Sequence, residues 1–133
     1  MKILPVVSIQ GDDFSPSALK EKCPSLTYCQ DDDLTHEPMV IGKVGRYRGV
    51  PIPYGTATIK VSDTPSNWEA LEDLVSMITS SIDEIRKFNC EVTLHCDIFY
   101  DSQCNFQIDA SMLKKLAFLG IDFSISCWDE CDE

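Results

Sequence analysis

Positive charge is what this sequence has least of. Over 133 residues, 11 Lys and Arg stand against 22 Asp and Glu, a formal net charge of −11. Nonspecific affinity for phosphate backbones and anionic lipid rests on clustered cations, so neither nucleic acid nor membrane is an expected partner. A basic protein is the natural complement. An apolar leader is missing as well: before Ser8 the chain offers only Ile3 to Val7, short of the roughly 7–15 residues of a signal-peptide core and the roughly 20 of a membrane span. The expected compartment is the cytoplasm. The seven cysteines form no complete set of pairs, and a chain of this length needs no disulfide staples, so reduced thiols are expected. Also absent are a glycine-rich phosphate loop, a Gly-x-Ser-x-Gly elbow, a paired-His metal motif and a dinucleotide fingerprint. No cofactor, no metal and no enzymatic activity is expected from motifs.

What is present is an ordinary globular composition, 44% apolar and 25% charged, which predicts one domain over residues 1–133 with a substantial core. Ile3 to Gln10 reads as a strand ending at the turn Gly11-Asp12-Asp13. Ser15 then reads as the N-cap of a short helix with Pro16 at its first position and Phe14 stapled onto Leu19; Cys23-Pro24 ends it. From Pro24 to Pro53 the periodicity fails, and Pro51 and Pro53 interrupt any central strand, which predicts a long loop or edge region. Gly55 to Ser62 alternates as a half-buried strand.

Thr64-Pro65-Ser66 opens the strongest element. Ser66 and Glu69 fit a capping box, and Trp68, Leu71, Val75, Ile78, Ile82 and Ile85 fall on one helical face. Cys90 to Tyr100 is a strand with Val92, Leu94, Cys96 and Ile98 on one face. After a turn at Asp101-Ser102-Gln103, residues 105–108 read as a short returning strand. Asp109 reads as the N-cap of a helix closing at Gly120, and residues 121–128 read as a last strand with Ile121, Phe123, Ile125 and Cys127 inward. Residues 14–20 and 108–114 echo one another in staple, cap, leucine and lysine, which shared helix-start chemistry explains about as well as duplication does. Alternating strands imply one covered and one open sheet face. The expected fold is α+β, a two-layer sandwich with a mainly antiparallel sheet and helices on one face, with a ferredoxin-like variant among the plans it admits.

Three stretches carry a family resemblance: the opening strand running into Gly11-Asp12-Asp13-Phe14-Ser15-Pro16, the long helix followed by Cys90-Glu91-Val92-Thr93-Leu94, and Phe106 to Ser126 with Leu119-Gly120 and the final strand. In these the chain resembles the bacterial domain of unknown function 4279 family. The resemblance covers roughly two-thirds of the chain, and its motifs concern fold rather than chemistry. For an acidic chain of this size it implies the role of an immunity protein. The chain departs from the family pattern after the first helix, where Cys29-Gln30-Asp31-Asp32-Asp33 and the stretch from Gly42 to Tyr54 replace a Thr and a basic-aromatic segment.

His95 and Asp97 lie two apart on one strand and therefore share a face, with Lys60, Thr93, Ser124 and Ser126 as neighbours that could join them there. Such groups suit acid–base or nucleophilic chemistry, and equally a polar binding face. The cysteine spacings give no zinc knuckle beyond the gap between Cys127 and Cys131. Asp12-Asp13 reads as turn chemistry, and Asp31-Asp32-Asp33 lacks the spacing of a calcium loop. Charge is distributed unevenly: between Pro38 and Ser62 stand Lys43, Arg46, Arg48 and Lys60 with no acid, which leaves −15 on the rest of the chain once those four charges are set apart from the total of −11. The expected function is non-enzymatic binding, as an immunity protein that neutralises a basic bacterial toxin, such as a nuclease, by covering its substrate-binding surface. Partner contacts are expected at Asp31, Asp32, Asp33, His95, Asp97, Tyr100, Trp128, Asp129, Glu130 and Asp132, with Trp128 or Tyr100 as anchor. The alternative is a small-molecule-binding or enzymatic domain built on the His95/Asp97 face. Self-association through a sheet edge or the Gly42–Tyr54 stretch is a third reading, and the sequence gives no oligomeric state.

Overall fold

The computed structural model describes residues 1–61 and 68–130. Its elements alternate: β1 (Lys2–Gly11), α1 (Pro16–Lys22), a single 3-10 turn at Gly45–Tyr47, β2 (Gly55–Ile59), α2 (Trp68–Ile85), β3 (Glu91–Tyr100), α3 (Ala110–Leu119) and β4 (Asp122–Asp129). The strands form one sheet in the order β2-β1-β3-β4. Its first two pairings are antiparallel, whereas β3 and β4 run parallel. Helices on one face and an open second face make this an α+β sandwich. It departs from the β-α-β-β-α-β ferredoxin-like plan, since a helix separates every successive pair of strands and β1 pairs directly with β2.

The core follows from strand alternation and one helical stripe. Ile3, Val7 and Ile9 of β1, Ala57 and Ile59 of β2, and Leu94, Cys96 and Ile98 of β3 are buried against Leu71, Leu74, Val75, Ile78, Ile82 and Ile85 of α2. Leu74 joins the stripe expected for α2, while Trp68 at its start is only partly buried. Ser66, the expected partner of Glu69 in a capping box, lies outside the described residues, as do Thr64 and Pro65. Pro5 is buried within β1 and pairs with Cys96 of β3. β2 reaches only as far as Val7, so the missing N–H of Pro5 falls where β1 has a single neighbour.

The expected caps form. Ser15 Oγ accepts from the N–H of Ala18 and Asp109 Oδ1 from that of Met112, the same i+3 geometry at both starts, so shared capping chemistry accounts for the sequence echo. Gly120 adopts φ 64°, and its N–H reaches the carbonyls of Leu116 and Ala117, as an αL cap does. Phe14 is fully buried and stands edge-on to Phe88 at 5.4 Å.

Two expectations need correction. Residues 105–108 form no strand. The outer side of β3 is taken from Thr93 to Tyr100 by β4, leaving no ladder for a returning hairpin, and Phe106 instead packs against Trp68 at 5.7 Å. Cys127 shares the strand face of Phe123 and Ile125 but is exposed, because β4 is an edge strand whose end runs past the helical cover. The irregular region after α1 has its own order. Tyr28 bridges to Ile59 and His36 to Thr56 along the outer side of β2, and Thr58 Oγ1 donates to the carbonyl of Leu34 at 2.9 Å. This excursion covers the β2 edge.

Candidate functional site on the open sheet face

The face turned away from the helices is built by register. His95 lies between Val6 and Ser124, Asp97 between Leu4 and Ser126, and Phe99 between Lys2 and Trp128. The parallel β3–β4 pairing brings residues about 30 apart in sequence into lateral contact, which is the step that creates the site. Two of its members were named on sequence grounds as a pair, His95 and Asp97. Ser124 and Trp128 complete it.

A chain of hydrogen bonds connects all four. Ser124 Oγ lies 2.6 Å from His95 Nδ1, Asp97 Oδ1 lies 3.1 Å from His95 Nε2, and Trp128 Nε1 donates to the same Asp97 oxygen at 3.0 Å. The indole N–H, followed by the neighbouring His95, holds the Asp97 carboxyl below the ordinary carboxylate range. Near neutral pH it is therefore ionised and accepts only. His95 must then carry its proton on Nε2 facing Asp97, so in the neutral ring Nδ1 accepts from the Ser124 hydroxyl. Serine, imidazole and carboxylate thus stand in the order of a nucleophile, a base and an orienting acid. They stand on an open surface: His95 and Asp97 side chains are 33% and 36% exposed and Ser124 is exposed. Water there screens the charge of a developing oxyanion, where preorganised electrostatics would need to be strongest.

Trp128 is 54% exposed, yet its one polar atom is already paired with Asp97. The ring is fixed at its edge and free on its surface. At the same strand end, Asp129 pairs with Tyr100 in the β3–β4 register and the N–H of Glu130 donates to the Tyr100 carbonyl, while the exposed Leu4 stands two strands away on β1, opposite Asp97. Strand alternation turns Asp129 and Tyr100 to the face opposite Trp128, so they do not share the open face expected of them, and the indole adjoins the Asp97 carboxylate there. Tyr100 is only partly exposed, which leaves Trp128 as the projecting ring. Asp132 lies outside the described residues.

Asp31, Asp32 and Asp33 are elsewhere. They belong to the excursion along β2, at the opposite edge of the sheet, so they share no surface patch with Trp128. Asp31 is turn chemistry: its carboxylate accepts from the N–H of Asp33, and its carbonyl from Leu34 and Thr35. Asp32 pairs with Lys43 at 2.9 Å, and this hydrogen-bonded ion pair lowers the Asp32 pKa and raises that of Lys43. The charge segregation visible in sequence is partly undone in space, because the first base of the acid-free stretch folds back onto the acidic run.

Of the remaining thiols, Cys96 is buried and its pKa is pushed up to about 12, chiefly by desolvation and then by Asp97, so it packs as a small apolar group. Among the described residues, no group of three or more His, Cys, Asp or Glu is arranged to hold a metal ion. No described helix is long and apolar enough to cross a membrane. Comparison of the chain with protein-family models, curated proteins and solved structures finds no match.

Proposed function

We propose that the chain is a cytoplasmic, non-enzymatic binding protein that receives a basic protein on the β4 side of its open sheet face, as an immunity protein receives its toxin. The observation that carries this reading is Trp128, an exposed indole whose N–H is already satisfied by Asp97. Partner binding has only to cover the ring, without finding a new acceptor for its donor. Aromatic anchors held in place in this way concentrate binding energy, and the net charge of −11 would speed the approach of a basic surface. The resemblance to the domain of unknown function 4279 family supports the same role. A toxin blocked by such a surface would be a cationic enzyme, for example a nuclease, whose substrate groove Asp97 would face.

The test is growth rescue. Cells expressing the product of the gene immediately upstream are expected to survive when the intact chain is co-expressed and to die when it carries Trp128→Ala. Survival that is indifferent to Trp128, or an upstream product that neither harms cells nor binds, sets the reading aside.

A second reading is favoured by the Ser124–His95–Asp97 chain of hydrogen bonds, which has the polarity of a hydrolytic nucleophile site. It predicts covalent labelling of Ser124 by a fluorophosphonate and slow hydrolysis of an activated ester, both lost in Ser124→Ala. An unlabelled protein eliminates it.

A further inference from the structure

The parallel docking of β4 on β3 creates a second juxtaposition, on the other side of the sheet from His95. Cys104, in the irregular crossover between β3 and α3, places its sulfur 3.4 Å from that of Cys127 on β4, although the two lie 23 residues apart in sequence. Cys104 is half-buried and Cys127 exposed. The other four described cysteines differ: Cys23, Cys29 and Cys96 are buried, and Cys90 has its thiol directed at the carbonyl of Ile85. Neither Cys104 nor Cys127 belongs to the buried core, and one of them sits in a segment without a strand or helix to hold its backbone rigid.

We propose that Cys104 and Cys127 form a redox-active dithiol that closes to an intramolecular disulfide by exchange with a small-molecule disulfide such as oxidised glutathione. The sulfurs need to approach by a little over 1 Å to reach the roughly 2.05 Å of a disulfide, a movement the irregular 101–109 crossover can absorb. The order of attack follows from access: Cys127 is exposed and Cys104 half-buried, and desolvation together with the contact to Cys127 raises the Cys104 pKa. Cys127, the accessible sulfur, therefore attacks first.

The Cys127 thiolate attacks one sulfur of the small disulfide, forming a mixed disulfide and expelling one thiolate, which takes up a proton. Cys104 then loses its proton and attacks the Cys127 sulfur, expelling the second small thiolate. Two protein thiols give up two protons and two electrons, and one small disulfide becomes two thiols. The product ties the crossover to the end of β4, one residue from Trp128. Closure thus fixes the strand end that carries the exposed indole.

The experiment treats the whole native protein with oxidised glutathione, then counts free thiols and maps disulfides by mass spectrometry after digestion without reductant. The expected result is a fall from seven thiols to five, a loss of about 2 Da and a cross-linked pair of peptides holding Cys104 and Cys127. Cys104→Ser is expected to trap a lasting glutathione adduct on Cys127, and Cys127→Ser to leave Cys104 unmodified. Both positions lie outside the buried core, and circular dichroism of each variant confirms its fold before treatment. An unchanged thiol count, a mixed disulfide that persists in the native sequence, or closure of Cys127 onto Cys131 instead of Cys104 overturns the proposal.

Discussion

Replacing Asp97 with Ala removes one oxygen that two neighbours use, Trp128 Nε1 at 3.0 Å and His95 Nε2 at 3.1 Å. Were both bonds buried, leaving their donors unsatisfied would cost several kcal/mol. Here His95 and Asp97 are about one-third exposed and Trp128 more so, so water replaces the lost acceptor. The net cost should be about 0.5–1.5 kcal/mol in total, read as a lower urea midpoint with an unchanged slope. The sign with pH is fixed by the direction of the Asp97 shift. A carboxyl whose folded pKa lies below its unfolded value, about 3.9, contributes stability that is fully present above that value and lost as pH falls through the folded pKa. The gap between the native chain and Asp97→Asn should therefore be constant near neutrality and shrink below about pH 4. By NMR, the Trp128 indole N–H is expected to move upfield and exchange faster in Asp97→Ala. A gap that persists unchanged in strong acid, or an indole resonance indifferent to Asp97, would refute the hydrogen-bond chain as the organiser of this face.

Three further variants test the frame that positions it. Asp109→Ala removes the acceptor of the Met112 N–H and should cost about 1 kcal/mol in urea denaturation, with Asp109→Ser restoring most of it. Ile78→Ala opens a cavity at a fully buried position of α2 and should cost about 2–5 kcal/mol, visible as a large drop in melting temperature. Gly55→Ala would set a Cβ against the main-chain carbonyl of Phe14, which cannot rotate away as a side chain would, so this variant should be the least soluble of the three on expression.

The elements governed by local rules were legible in the sequence. Caps at Ser15 and Asp109, the αL glycine at Gly120 and the stripe from Leu71 to Ile85 each depend on residues within a few positions of one another, and the structure shows each of them. What depended on lateral pairing was not. The parallel placement of β4 decided that residues 105–108 would not pair, that Ser124, one of several neighbours expected on the face, would be the one bonded to His95, and that Cys104 would meet Cys127. None of these leaves a periodic trace, because strand neighbours are chosen by sheet topology rather than by spacing. The excursion between α1 and β2 shows the same limit. Asp31 to Asp33 look like a free acidic run in sequence, yet Lys43 folds back onto Asp32 and one Asp31 carboxylate oxygen and its carbonyl accept from main-chain donors. His95 and Asp97 were the exception: period-two alternation alone places them together, and only their third and fourth partners required the fold.

Trp128 is the ring proposed to anchor a basic protein. An indole side chain offers about 150–250 Å² in all, and with roughly half still exposed about 100 Å² remains to be covered, worth about 2.5 kcal/mol. The most direct measurement is isothermal titration of the upstream gene product into the native chain and into Trp128→Ala at low and raised salt. Binding by the native chain should weaken as salt rises, and the variant should lose affinity on the order of fifty-fold. Equal affinity of the two proteins, or affinity indifferent to salt, would contradict it.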